Sequence, residues 1–180
     1  GKEIHVMRYH DITKDDMKNG DGLRVVLWVA GCTHHCRDCQ NPVTWDAEDG
    51  AEFDEAAWQE IAAQLEKSYI SGLTFSGGDP LYPGNRETVT KLAARVRKEF
   101  PDKTIWLYTG YRWEEVRSLS VFADVDICVD GRFVAEQKDT KLLWKGSKNQ
   151  RVIDVKRTRM AGADAEVILH CGDYETDEEL

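Results

Sequence analysis

The sequence predicts an α/β fold built on mostly parallel strands, and two observations carry that prediction. Short β-rich apolar runs alternate with longer segments of helical period, the order that parallel strands joined by crossover helices require. The first run, residues 24–30, is nearly continuously apolar, as a strand buried on both faces would be. At 180 residues the length fits one compact domain, and 41% apolar content with six tryptophans is ample for a core.

The elements follow in order. Residues 1–22 are polar and end in Asn19-Gly20-Asp21-Gly22, a strong turn signal. After the strand at 24–30, residues 54–69 read as an amphipathic helix. Its buried face carries Ala57, Trp58, Ile61, Ala62, Leu65 and Tyr69, and Asp54 stands at the N-cap. Residues 73–75 form the next strand. Residues 85–100 form a second helix, with Val89, Leu92, Ala93, Val96 and Phe100 on one side and Pro101 stopping it. Strands are predicted at 104–108 and 125–129, with a short helix over 113–119 between them. Beyond Asp130 the pattern weakens to short strands at 150–155 and 166–169. Residues 173–180 hold five acidic side chains and no basic one, which reads as a frayed acidic tail.

Composition excludes several functions. A net charge of −9 argues against a phosphate-binding surface, since nucleic-acid affinity rests largely on Lys and Arg. No run approaches the ~18–20 apolar residues that span a membrane, and no signal-peptide pattern opens the chain. The first residue is Gly1 rather than Met, which points to a trimmed or engineered terminus. Five cysteines, an odd number, fit a reducing cytoplasm better than a disulfide scaffold.

The chemistry concentrates in residues 31–42, where Cys32, Cys36 and Cys39 stand as C-x-x-x-C-x-x-C directly after the first apolar run. Thiolates so close repel one another unless a soft cation or a disulfide neutralises them. Three readings compete on this loop alone. Structural zinc wants a fourth ligand, from His34, His35, Cys128 or Cys171. A Cys36/Cys39 redox pair leaves Cys32 without a role. An iron–sulfur cubane on three cysteines leaves one iron open for a non-protein ligand. Gln40 stands where covalent haem attachment would need a histidine. A second motif, Ser76-Gly77-Gly78-Asp79-Pro80, follows a predicted strand; glycines there let backbone approach a ligand, although a plain turn before Pro80 explains them too.

Together the two motifs resemble the radical S-adenosylmethionine (SAM) superfamily. Within it the chain is most similar to the activating proteins of anaerobic (class III) ribonucleotide reductases. The resemblance runs from about residue 8 to 155. It includes Asn19-Gly20-Asp21-Gly22, the cysteine loop through Asn41 and Thr44-Trp45, residues 76–81 and residues 105–111. Val129-Asp130-Gly131-Arg132-Phe133 and Trp144-Lys145-Gly146-Ser147-Lys148-Asn149-Gln150 complete it.

The resemblance implies a partial, open (β/α) barrel in a single domain, with a core over 8–155 and a C-terminal extension over 156–180. It implies a 4Fe-4S cluster on Cys32, Cys36 and Cys39, with SAM chelating the open iron. Gly77, Gly78 and Asp79 would lie beside the methionine part of SAM, and Asp38, Cys39 and Gln40 would present main chain to adenine. Thr109 and Asp130 would contact ribose or methionine, with strand-end capping as the plainer alternative. Reductive cleavage of SAM would give a 5′-deoxyadenosyl radical that generates the glycyl radical of the reductase. A flavodoxin or ferredoxin would supply electrons, and no acid–base pair is needed. Two departures stand out. Asp38 occupies the place where the superfamily often has an aromatic residue, and Asp79 replaces the commoner glutamate.

Other residues have plain readings: Trp45 as core, with shielding of a cluster as the alternative, Cys128 as a packing residue, Cys171 as a bystander thiol, and His34 and His35 as solvated, with a hydrogen bond from one of them to a cluster sulfide as the alternative. Two other functions fit the cysteine loop. One is a radical SAM enzyme acting on another glycyl radical enzyme or a small molecule; the other is a non-enzymatic zinc-binding module.

Overall fold

The computed structural model describes residues 6–32, 46–47 and 50–170. Cys36, Cys39, Asp38, Gln40, His34, His35, Trp45, Cys171 and the acidic tail lie outside the described residues.

Among the described residues seven strands form one sheet in the order β3-β1-β2-β4-β5-β6-β7. They are β1 (Arg8–Asp16), β2 (Leu23–Val29), β3 (Ala51–Glu52), β4 (Ile70–Gly77), β5 (Thr104–Tyr108), β6 (Ile127–Asp130) and β7 (Arg151–Asp154). The central four, β2, β4, β5 and β6, are mutually parallel, as the alternation of strands and helices predicts. The sheet is open, and its parallel centre is flanked by antiparallel pairings at β1 and β7. For β1 and β2 the reason is connection length. The turn through Gly20 and Gly22 is too short for a crossover, so β1 and β2 can only form a hairpin.

Strand β1 lies in the stretch whose composition signalled only a turn. Its residues are mostly half-buried or exposed, so no apolar run marks it.

Three helical connections join the parallel strands: α1 (Glu55–Leu65), α2 (Arg86–Glu99) and α3 (Trp113–Val116). The order β2-β4-β5-β6 advances one way without reversal. Right-handed crossovers then place every helix on the same face. Side chains alternate accordingly. Val25, Leu27, Val29, Leu73, Phe75, Ile105, Leu107 and Cys128 meet the helices in the main core. Trp106, Ile127, Val129 and Val152 form a second cluster, with Tyr108 and Trp144 against it, on the opposite face. That second face is where a ligand has room.

Arg24 anchors its lower end. Fully buried, it donates to the Thr74 hydroxyl (2.8 Å), the Thr104 hydroxyl (2.8 Å) and the Thr104 carbonyl (2.7 Å), tying β2, β4 and β5 together. Burial pulls its guanidinium down to about 10.

Helix α1 starts where the sequence places it: the Asp54 carboxylate accepts from Ala57 N at 2.9 Å. It ends at Leu65, short of the expected Tyr69, which is exposed. The chain must unwind there because β4 begins at Ile70. Helix α2 buries Val89, Leu92, Ala93 and Val96 as expected. Helix α3 stops at Val116, and a 3-10 turn at Ser120–Ala123 follows.

Past β7, a helix α4 (Val155–Met160) appears where the sequence pattern was silent. Residues 166–169 make a single bridge, Ile153 to Leu169, rather than a strand. Cys128 is fully buried, and desolvation raises its thiol pKa, in keeping with a packing role. Among the described residues no helix is long and apolar enough to cross a membrane.

Candidate functional site

The four parallel strands end at one edge, and their carboxyl-terminal loops carry Cys32, Gly77-Gly78-Asp79, Thr109-Gly110 and Gly131. Below them, on the face opposite the helices, opens a cleft of about 660 Å³. Its floor includes Trp28, Ser76 and Tyr108, and Cys32, Gly77, Gly78 and Thr109 stand at its strand-end rim. A volume of this size suits a small organic ligand.

The glycine loop is sewn to the cysteine-bearing strand. Gly78 N donates to Val29 O at 2.8 Å, and Asp79 N donates to Gly31 O at 2.7 Å. Gly77 holds φ +100°, and a Cβ there would sit 2.6 Å from both the N and the O of Val29. No side chain fits, so glycine is required by contact as well as by dihedral. These bonds fix Cys32, itself buried, beside the half-buried backbone of the glycine loop.

Asp79 ties the same loop to β5. Its carboxylate is buried and accepts from Leu81 N (2.8 Å), from the Thr109 hydroxyl (2.9 and 3.1 Å) and from Gly110 N (2.9 Å). The Thr109 hydroxyl also accepts from Tyr111 N at 3.2 Å. An aspartate therefore suffices here: its task is a short reach to the neighbouring strand end.

Asp130 plays a parallel part on β6. Its buried carboxylate accepts from Trp113 N (2.8 Å) and from Arg151 Nε and Nη2 (3.1 and 2.6 Å). The pairing with Asp130, and less so with Glu114, raises the Arg151 pKa. Arg151 in turn holds the Glu114 carboxyl below its usual range.

Comparisons with known proteins bear on this site. The family model for a 4Fe-4S single cluster domain matches residues 18–153. The anaerobic ribonucleoside-triphosphate reductase-activating protein of Enterobacteria phage T4 is 47% identical over 146 residues, covering 81% of this chain and 93% of that protein. Its counterparts from Haemophilus influenzae and Escherichia coli K12 are 42% identical over 148 residues and 41% over 150. They cover 80% and 81% of this chain and 96% and 97% of their own lengths.

The chain belongs to the family of anaerobic ribonucleoside-triphosphate reductase-activating proteins.

For a member of this family, the structure brings most of the described candidate residues together. Cys32, Gly77, Gly78 and Thr109 line one cleft, and Asp79 braces it from behind. Asp130 faces a smaller adjoining cavity of about 260 Å³, which it shares with Arg112, Arg132 and Arg151. Cys36, Cys39, Asp38 and Gln40 lie outside the described residues. Among the described residues no group of three His, Cys, Asp or Glu side chains is placed to hold a metal. The soft donor described at the strand-end rim is the sulfur of Cys32, set beside side-chain-free backbone, and this fits an iron–sulfur group.

Sequence reasoning missed two residues of the site. Asn85, fully buried, donates from Nδ2 to Ala30 O (2.8 Å) and to Asp79 O (3.2 Å), so it clamps the cysteine strand to the glycine loop. That use explains why Asn85, at the N-cap of α2, makes no side-chain capping bond to its own helix. Tyr108 donates its hydroxyl to Trp144 O at 2.5 Å, and desolvation raises its phenol pKa. The only signal for either was the capping position of Asn85.

Proposed function

We propose that this protein is the iron–sulfur radical SAM activase of an anaerobic ribonucleotide reductase. The observation that carries the reading is the placement of Cys32 against Gly77-Gly78 at the carboxyl ends of adjacent parallel strands, lining one cleft. The relatives named as reductase-activating proteins support it over nearly their whole length. A singly wound sheet with one helix-free face supports a partial, open (β/α) barrel within one domain.

Cys32, Cys36 and Cys39 would hold the 4Fe-4S cluster as thiolates. Bound there and reduced, such a cluster would supply the electron for cleaving SAM to methionine and a 5′-deoxyadenosyl radical, which would take hydrogen from a glycine of the reductase. The chain's own task is to hold and orient. Gly77 and Gly78, which line the cleft, offer main chain to the amino-acid part of SAM. Asp79 and Asn85 keep that main chain fixed relative to Cys32, while Asp38, Cys39 and Gln40 present main chain to adenine. Thr109 and Asp130 complete the site at the ends of β5 and β6. Trp28 and Tyr108 form a wall that excludes water from the radical's path. The partners are the large reductase subunit and a reductant such as flavodoxin or ferredoxin, in the cytoplasm.

The test is anaerobic iron–sulfide reconstitution followed by EPR of the reduced protein, with and without SAM and then with the reductase. A cluster signal that shifts on adding SAM, and a glycyl radical once the reductase is present, are the expected results. Colourless protein with one zinc per chain would refute the reading.

A further inference from the structure

The chain carries a net charge of −9, yet its cleft is lined by Lys18, Arg132, Lys138 and Lys145 against a single acidic residue, Asp139. Lys18, Arg132 and Lys138 are exposed at the rim, and two apolar side chains of the same lining, Met17 and Leu143, are 71% and 42% exposed. SAM does not account for this excess, because its sulfonium and ammonium outweigh its one carboxylate. Exposed rim lysines are also too well hydrated to serve a buried group. Their natural ligand is an anionic macromolecular segment arriving from solvent.

Most of this rim comes from the β6–β7 loop, residues 131–150. Its one helical element among the described residues is a 3-10 turn at Ala135–Gln137. A loop this long inside a compact domain is ordinarily functional when it is held in place. This one is held. Gln150 Oε1 accepts from Gly146 N (2.8 Å) and Ser147 N (3.1 Å), and its Nε2 donates to Gly131 O (3.0 Å). Trp144 sits at φ +65°, a conformation costly for a bulky residue. The Tyr108 hydroxyl on its carbonyl and an edge-on contact with Trp106 at 5.1 Å maintain it. The loop is a preorganised platform, which lowers the ordering cost of binding.

We propose that the β6–β7 loop, with Met17 and Lys18 across the cleft, is the docking surface for an extended acidic segment of the reductase. This inference rests on the activase reading and adds the chemistry of the contact: cationic rim, apolar footholds, anionic partner.

The test uses the full, cluster-loaded chain titrated with purified reductase at rising sodium chloride, beside the double variant Lys18→Glu/Lys138→Glu. Wild-type affinity should fall steeply with salt. At low salt the variant should bind at least about tenfold more weakly, and the gap should close at high salt. Its thermal melt and its SAM cleavage without reductase should match wild type. Salt-independent wild-type binding, or equal binding by the variant, overturns the proposal. Removal of residues 171–180, with their five acidic side chains, checks the chain's own end as a rival occupant. Unchanged or tighter reductase binding by the truncated chain supports the proposal, since a competing tail would occupy the same cationic rim, and weaker binding overturns it. A wild-type chain that neither binds the reductase nor cleaves SAM refutes the activase reading itself.

Discussion

Replacing Gly77 by alanine tests whether the glycine loop is shaped by contact or merely tolerated. The new Cβ would lie 2.6 Å from Val29 N and O, both backbone atoms of the neighbouring strand, at φ +100°. Holding a non-glycine residue in that backbone region costs about 1–3 kcal/mol. Pushing β2 and β4 apart adds an overpacking cost of about 1–3 kcal/mol. The Gly78 N to Val29 O bond, which spans the same gap, is worth about 1 kcal/mol. The costs overlap, so a loss of about 3–5 kcal/mol is expected, a large share of the ~5–15 kcal/mol of an ordinary domain. Urea unfolding at 25 °C reads it directly. For the fraction that stays folded, EPR of the reduced cluster should shift with SAM only at much higher SAM concentration, since the same movement displaces Cys32. A loss below about 1 kcal/mol with an unchanged SAM-induced shift would refute the reasoning.

Other outcomes follow from the same geometry. Asp79→Ala removes the acceptor of the Thr109 hydroxyl proton, Leu81 N and Gly110 N in a buried site, and should cost about 2–4 kcal/mol by urea unfolding. A cost under 1 kcal/mol would mean that water replaces the carboxylate. Asp126 is desolvated, yet Lys156, the Ile105 amide and Arg97 together hold its pKa below the ordinary value. A depressed folded-state pKa gives stability that is complete above the unfolded pKa, about 3.9, and is lost as pH falls through the folded value. Asp126→Asn should therefore flatten the stability–pH curve below about pH 4; a parallel curve would count against the ion pairs. Cys128, buried with a raised thiol pKa, should resist iodoacetamide until the chain unfolds. Mass spectrometry after native labelling checks this, and rapid native modification of Cys128 would contradict its packing role.

The central strands and the first two helices were legible in the sequence because each presents a strong apolar period to a core. Ile61, Leu65, Val89 and Val96 are buried where the helical spacing places them. The candidate site was legible for a different reason: the cysteine spacing and the glycine pair are local patterns that a reader can see without a fold. Strand β1 was not legible, because its half-exposed flank gives no apolar run. Helix α1 was drawn one turn too long because Tyr69 continues the period, although the chain has already turned toward β4.

What only the tertiary structure decided is how distant residues complete one another. Asp79 finds Thr109 and Gly110 some thirty positions away, and Asn85 finds Ala30 across 55. Trp144 is held left-handed over the cleft by Tyr108, 36 residues earlier. None of these pairings leaves a local trace. A hydrogen bond between strand ends depends on which strands lie side by side, and that order is set by the handedness of crossovers and the packing of one shared core. By itself the sequence determined which segments must be buried and which atoms could bind iron; the sheet order decided which of them meet.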